Sequence, residues 1–541
     1  MIRNIFIFAL VLLRSCSLAT AQTTDLQKVR VTDFSGGQNS KDFFDKIQQN
    51  QGTQVENLLI DNVGQAKTRK GQALYNEDVG STAFSGLGAY YLDSTTSYVV
   101  MASGTSVYRN NGTTNWAQIS TSSMGTGYDT GFLQANSLLF VFNGNANTAY
   151  WNGTTWNAGG TWPGSASPPV ITTAAWLNNY MFGAGNPTNT DWVYVSNNQS
   201  PQSWSASDVM KINTGDGQAI KRLEAYRTGE LIAYKERSIW DINISNVDST
   251  CSPQPTCQWT ITAISRDIGT PAPRSVVSLG NDQWFLSSEP IAVRSLIKSQ
   301  FDKTFVQMNS KPIQDIFDGT GDTIINKTQI SKAAAVLFNN KYILAIPTGS
   351  SSVNNFVVVY DFIANAWFTI TGWYPKDWLV YNNNLYYTDA NDGRVVQCFT
   401  GTTGDFGTVA SSASGPTVGI NSQYSTRGVD FGFPENFKAL DAISIEFYPT
   451  GNYNATVAIN MDNAGWQDVG TVNLSGSALT LPFTLPATLS GSGFSIATLQ
   501  LQRYGEFKRI QARVTVNETD EQMILQAIDF YGYIKPWRRE K

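Results

Sequence analysis

The sequence predicts an all-β protein, with a β-propeller of about six or seven blades followed by a C-terminal β-sandwich. Three observations predict it. The composition is polar but weakly charged and rich in aromatics, short apolar strands recur in tryptophan-ended groups, and strict apolar/polar alternation begins after a Gly/Ser/Thr-rich stretch.

Charged residues are 15% of the 541 positions and aromatics 12%, against about 25% charged in an ordinary soluble chain. Few charges, many aromatics and abundant Gly, Asn, Ser and Thr suit short strands joined by tight turns. A helical bundle would want Ala, Leu, Glu and Lys. Ordinary apolar content and a formal charge of −5 argue against disorder. The same charge makes the whole chain no electrostatic trap for nucleic acid.

Histidine is absent, where about ten would be ordinary in a chain this long. That excludes Ser–His and Cys–His nucleophile pairs, histidine metal ligands and histidine as general acid or base. Catalysis would have to use carboxylates, Tyr, Lys or Arg, and the expectation is a protein that is not an enzyme and carries no cofactor. Candidate carboxylates Asp129, Asp191, Glu224 and Glu230 are scattered, with no spacing that pairs any two. Asp389-Ala390-Asn391-Asp392-Gly393 falls one residue short of a calcium loop, so a hairpin turn is the expectation there.

The first residues resemble a secretory signal. Arg3 is the positive n-region, Ile5 to Leu13 a short apolar h-region, and Ala19-Thr20-Ala21 a small-x-small cleavage pattern. The plain alternative is a buried helix or strand. The apolar run is too short for a membrane span and nothing later approaches one. Of four cysteines, Cys16 lies in this segment. Cys251 and Cys257 flank Ser-Pro-Gln-Pro-Thr and could close a disulfide in an oxidising compartment. Cys398 is then left single and buried.

From Leu87 onward, runs such as Tyr98-Val99-Val100-Met101, Leu138 to Phe142 and Tyr342 to Ile346 have strand length and are bounded by turn residues. They recur as units. Val107 to Trp116 is echoed by Ala149-Tyr150-Trp151-Asn152-Gly153-Thr154-Thr155-Trp156, and more loosely by Tyr194 to Trp204, Ile239 to Trp259 and Val358 to Trp367. The period is about 40 to 55 residues, that of a four-stranded blade. Asn-Gly at the tip suits the outer hairpin, and the Trp returns over the sheet. Gly153 to Trp156 also matches the end of the Asp-box turn of sialidase-type propellers, but Trp151 occupies its carboxylate position. The expected segments are 1–21 as the signal-like stretch, 22–84 as an N-terminal arm that could supply propeller-closing strands, and 85–400 as the propeller. Residues 401–419 read as a linker and 420–541 as the sandwich. A short helix is allowed around Phe43 to Asn50. Two basic clusters, Lys67-Thr68-Arg69-Lys70-Gly71 and Lys535 to Lys541, could dock on an acidic partner or be solvated.

The mature N-terminus is more specific. Asp33-Phe34-Ser35-Gly36-Gly37-Gln38-Asn39-Ser40-Lys41 resembles the Phe-Ser-Gly-Gly-Leu-Asn opening of a bacteriophage tail protein family. Asn57, Asp61, Gly64 and Lys67-Thr68-Arg69-Lys70-Gly71 look like its next stretch, with Lys70 where proline is usual. Val193 to Ser196 with Pro201 and Trp204, Gly269 to Val277, and Tyr360-Asp361-Phe362 with Trp367 add to the likeness. The resemblance is to β-propeller tail nozzle or hub proteins of short-tailed phages, related to the DNA-stabilisation proteins of the head-to-tail channel. It implies a homo-oligomeric ring, a hexamer in that family. It also implies other tail or head-to-tail adaptor proteins as partners, and double-stranded DNA passing through the channel without specific binding. It carries over no active-site residues. It implies a virion tail location, with a true start near Thr23 or Asp25. The alternative is an exported envelope propeller that binds glycans, with a sialidase-type glycosidase more remote.

Overall fold

The computed structural model describes residues 25–60, 64–75, 84–112, 115–158, 169–245, 259–298, 304–391, 393–401, 404–405, 418–475, 494–519 and 521–536. Seven four-stranded antiparallel blades follow one another around an axis, six as separate sheets and the sixth blade as part of a larger sheet. The first blade comprises Phe84–Tyr91, Ser97–Ser103, Ser106–Asn110 and Ala117–Gln118. The innermost strands of the next six are Gly131–Ala135, Thr173–Leu177, Ile220–Arg227, Val277–Leu279, Ala334–Phe338 and Pro375–Tyr381. Each innermost strand touches the next, and the seventh touches the first, so the ring closes.

The second strand of each blade is sandwiched between neighbouring blades and is buried on both faces. That is why Leu138–Phe142, Glu230–Lys235 and Lys341–Ile346 are near-continuous apolar runs rather than alternating ones. Two-residue turns join the first two strands of several blades. Asn178-Asn179, Asn339-Asn340 and Asn382-Asn383 have positive φ at both positions, with Leu177 opposite Tyr180, Phe338 opposite Lys341 and Tyr381 opposite Asn384. A type I′ turn needs that conformation twice over, and asparagine tolerates it best after glycine. The outer hairpin of the second blade is the Asn-Gly turn expected from sequence. Trp151 pairs with Trp156, Gly153 sits at φ +95°, and the Asn152 side chain accepts N–H bonds from Thr154 and Thr155.

The seventh blade has only three strands of its own. Its fourth is Gln72–Leu74, which pairs with Val395–Cys398 from the far side of the propeller sequence. The sandwich is likewise built from both ends of the chain. One sheet orders Leu58–Leu59, Ala66–Thr68, Ile524–Ile534, Lys438–Phe447 and Ser495–Phe507, with Leu26–Val31 also on Ile524–Ile534. The facing sheet orders Gly52–Glu56, Val418–Thr426, Ile510–Glu518, Asn454–Met461 and Trp466–Asn473. Gly52–Glu56 also meets the outer strand of the sixth blade, Ala366–Ile370, through the parallel pair Glu56–Thr369. Blade and sandwich thus share one ten-stranded sheet. One buried cluster runs from Trp373, Trp378 and Tyr387 in the propeller to Tyr424, Ile443 and Phe530 in the sandwich.

Three local expectations change. Within the arm at 22–84, the strands Leu26–Val31, Gly52–Glu56, Leu58–Leu59 and Ala66–Thr68 join the sandwich sheets, while Gln72–Leu74 supplies the propeller-closing strand. The stretch 401–419 is more than a spacer, since Gly404–Asp405 is a short strand against Val418 and Gly419. Phe43 to Asn50 forms turns, not a helix. There the side chains of Asn39 and Gln51 accept the N–H groups of Asp42 and Gln48, local bonds that compete with a helical ladder. Among the described residues an α-helix lies instead at Gln314–Asp318, between the fifth and sixth blades. No described helix is long and apolar enough to cross a membrane.

Candidate functional site

The residues singled out near the N-terminus converge on the joint between propeller and sandwich. Phe34 is fully buried and meets Tyr424 edge-on at 4.7 Å. Gly37 has φ +63°, and a Cβ there would lie 2.5 Å from the Trp367 carbonyl oxygen. Only glycine allows that approach. It lets the Gln38 N–H donate to the same carbonyl at 2.7 Å, while the Gln38 side chain accepts from Val55 N–H at 3.0 Å. Ser40 donates to Asp315 at 2.7 Å and Lys41 pairs with Asp318. Residues 34–41 therefore stitch the sandwich to the sixth blade and to the helix before it.

The basic cluster at 67–71 divides in two. Arg69 is 1% exposed. Its guanidinium is bidentate on Asp405, with one bond at 2.9 Å. It also donates to the Asn57 side chain at 2.8 Å and to the Thr371 and Lys70 carbonyls, and stacks over Trp373 at 4.6 Å. Asn57 in turn donates to Thr371 Oγ1 and the Asn421 carbonyl, both at 2.9 Å. Every donor of a buried guanidinium needs such a partner. Gly71 follows because a Cβ there would lie 2.1 Å from the Gly404 carbonyl oxygen. Lys67 and Lys70, by contrast, border a groove of about 210 Å3 at the same joint.

At one mouth of the propeller axis, Arg274 of the Gly269 to Val277 segment reaches across the ring. Its guanidinium donates to the Ser85 carbonyl of the first blade at 2.8 Å and to the Lys376 carbonyl of the seventh at 3.3 Å. Asp129 lies 3.4 Å from it and 4.0 Å from the Lys376 ammonium. Asp377 accepts the Leu87 N–H at 3.0 Å, and burial lifts its carboxyl above the usual range. Burial pulls the Lys376 ammonium down, whereas Arg274 is held above its ordinary value because Asp377 and Asp129 outweigh its desolvation. The segment enters through Gly269, where a Cβ would meet the Lys235 carbonyl oxygen at 2.2 Å, and Thr270, bonded to Leu286 O at 2.7 Å.

Of the four carboxylates named from sequence, Asp129 belongs to this mouth. Glu224, on the inner strand of the fourth blade, is bonded to Arg222 and to Ser278 of the fifth. Glu230 stands across the next hairpin opposite Arg227, and Asp191 adjoins the third strand of the third blade. The carboxylate that shares the field of Arg274 with Asp129 is Asp377, which nothing in the spacing indicated. Asp405 was missed too, hidden in a stretch whose composition reads as linker. At the hairpin resembling a calcium loop, the Asp389 side chain accepts the Asn391 N–H at 2.8 Å, closing its own turn.

Cys398 is a buried free thiol, pushed well up by desolvation. Cys251 and Cys257 lie outside the described residues, as do the signal-like segment 1–21 and positions 537–541 of the C-terminal cluster. The remaining lysine of that cluster, Lys535, pairs with Glu506.

No family model matches the chain, and no curated protein does. Among solved structures, BamB from Moraxella catarrhalis aligns over 59% of this chain and 84% of its own, at 11% identity and a TM-score of 0.35. The WD40 β-propeller domain of Doa1 aligns over 61% and 98%, at 6% identity and 0.39. An exo-β-1,3-galactanase from Phanerochaete chrysosporium aligns over 69% and 99%, at 10% identity and 0.26. The propeller architecture stands on the strand pairing itself.

Proposed function

We propose that this protein is a structural tail component of a phage, a nozzle or hub subunit whose copies form a closed ring around the DNA channel, for genome retention and ejection. One observation carries the proposal. The segments in which the resemblance to that family is densest are the segments that fix sandwich to propeller: Gly37 against Trp367, Arg69 on Asn57 and Asp405, Gly71 against Gly404. Their chemistry is spent on holding a shape. A subunit that must keep its outline under load in a ring needs such a joint, and closed symmetry buries both of its unlike faces.

Two further features agree with this role. Arg274 bridges one mouth of the propeller axis, so in this arrangement the DNA path is the space enclosed by neighbouring subunits, not the hole within one. The formal charge of −5 keeps such a wall from gripping phosphates, because strong retention on DNA needs a run of cationic contacts. Other tail or head-to-tail adaptor proteins would seat on the ring, and the location is the virion tail. The test is to purify the full chain and examine it by sedimentation velocity and negative-stain microscopy. Rings with a central hole are expected, six-fold as in the family it resembles. A strictly monomeric particle at tens of micromolar would refute the proposal.

A further inference from the structure

Arg294 stands in the third strand of the fifth blade, Val293–Lys298, and is 6% exposed. Its strand partners are Phe285 on one side and Met308 on the other. Paired residues share a face of the sheet, and Phe285 packs against Tyr234 of the fourth blade with ring centroids 5.2 Å apart. Arg294 therefore lies on the face turned toward the fourth blade, the face that carries buried Phe285 and Leu296.

Its surroundings lack a counter-charge. Arg69 is bidentate on Asp405, Lys235 holds Asp216 at 2.8 Å, and Arg274 has Asp129 at 3.4 Å. Among the described residues no carboxylate pairs with Arg294, and its one hydrogen bond runs from Nε to the neutral Ser287 Oγ at 2.9 Å. Desolvation pulls the guanidinium below its ordinary value with no acid to offset it. Both terminal amino groups are thus left without a protein acceptor, in a place where a lone cation is unfavourable. A second unsatisfied donor sits in the same loop. Ser288 is anchored by its N–H on the Gly269 carbonyl at 3.2 Å, yet its hydroxyl is buried without a hydrogen-bond partner. Ser287 is fixed as well, donating to the Pro290 carbonyl at 2.8 Å. The loop and the guanidinium are held before any ligand arrives, the preorganisation that lowers the cost of binding.

We propose that Arg294 and Ser288 form a carboxylate-binding site at the seam between the fourth and fifth blades. The two terminal amino groups of the guanidinium take the two carboxylate oxygens, and the Ser288 hydroxyl donates to one of them. The donor set selects the ligand. A planar monoanion with two oxygens matches the fork of a guanidinium, whereas a tetrahedral phosphate would bring further oxygens against Phe285 and Leu296 with no donor to meet them. A small organic acid and an acidic side chain of a partner protein present the same group. The site goes beyond the ring proposal and does not rest on it, since one copy contains every residue named.

The experiment follows the fluorine NMR signal of trifluoroacetate as the full chain is added, with displacement by acetate, by glutamate blocked at both backbone ends, and by inorganic phosphate at matched ionic strength. Saturable broadening is expected, reversed by the carboxylates and about tenfold less readily by phosphate. Stronger displacement by acetate assigns the site to a small organic acid, and stronger displacement by blocked glutamate to an acidic side chain; either supports the proposal. Arg294→Met should abolish the broadening, and Ser288→Ala should weaken binding by about tenfold, as loss of a hydrogen bond to a charged group implies. Arg237→Gln, at an exposed pair with Glu289 of the same loop, should leave it unchanged. In carboxylate-free buffer Arg294→Met should melt at or above the wild type, because it removes a lone buried cation. Acetate should then raise the melting temperature of the wild type and not of this variant. If Arg294→Met misfolds, Ser288→Ala alone must still weaken binding. No saturable broadening, displacement by phosphate as readily as by acetate, indifference to both substitutions, or an Arg294→Met variant that folds but melts well below the wild type would each overturn the proposal. A monomeric particle that binds trifluoroacetate normally would overturn the ring and leave this site standing.

Discussion

Replacing Arg69 with methionine isolates the joint between sandwich and propeller. The wild-type guanidinium makes two bonds to Asp405 and one each to Asn57, the Thr371 carbonyl and the Lys70 carbonyl. Methionine keeps much of the apolar stem over Trp373 but supplies none of these donors. Asp405, with a side chain 6% exposed, would retain only a long contact from Trp373 Nε1 at 3.5 Å. Removing one partner of a buried ion pair costs about 3–5 kcal/mol, chiefly because the other charge is left unpaired. The number of lost donors puts Arg69→Met near the upper end, about 4 kcal/mol. That is a large share of a total stability of about 5–15 kcal/mol. The double change Arg69→Met with Asp405→Leu removes the orphan and should recover about 3 kcal/mol as coupling energy. Urea unfolding followed by tryptophan fluorescence and circular dichroism measures all four corners of the cycle. A single-variant cost under about 1 kcal/mol, or strict additivity in the double variant, would refute the claim that this pair fixes the joint.

Two further outcomes follow from the same geometry. Gly71→Ala places a methyl 2.1 Å from the Gly404 carbonyl oxygen. Backbone must then move, and a loss of about 2–3 kcal/mol is expected in the same urea assay, with faster proteolysis near Gln72–Leu74. Burial raises the Asp377 carboxyl above its ordinary value, opposed by Arg274 and by the Leu87 and Trp378 N–H groups. A folded-state value above the unfolded one means the folded form binds the extra proton, so the charged group destabilises most at higher pH and that penalty fades as pH falls. Asp377→Asn should therefore melt higher than wild type near neutrality, with the gap closing toward about pH 4; a gap that widens on acidification would contradict the assignment.

Most of the architecture was legible because each blade repeats a physical necessity. The second strands are apolar on both faces because blades cover them on both sides, and the outer Asn-Gly turn with its returning tryptophan marks where the second blade ends. The Asn178-Asn179, Asn339-Asn340 and Asn382-Asn383 pairs are equally local signals, since each sets a tight inner hairpin. What could not be read was pairing across long separations. Arg69 and Asp405 are 336 residues apart, and a basic cluster looks the same in sequence whether solvated or buried. Arg274 and Asp377 face one another only because the ring closes, which no local pattern encodes. Gly37, Gly71 and Gly269 stand in recognisable motifs, but the backbone oxygens that require them belong to segments distant in sequence.

The borrowed fourth strand of the seventh blade has a consequence for how the chain acquires its shape. Gln72 is among the first propeller residues synthesised, yet the Tyr387 hydroxyl it bonds is 315 residues away, and Thr68 waits still longer for Met523, at a separation of 455. Contacts so remote close slowly because the chain must pay their loop entropy before they return anything. A nascent chain holding six finished sheets still carries open strand edges at both ends of the arc. Until its last strands emerge it is a ready template for pairing with a neighbour, so prompt completion of translation, or a chaperone that covers those edges, becomes a condition for correct assembly.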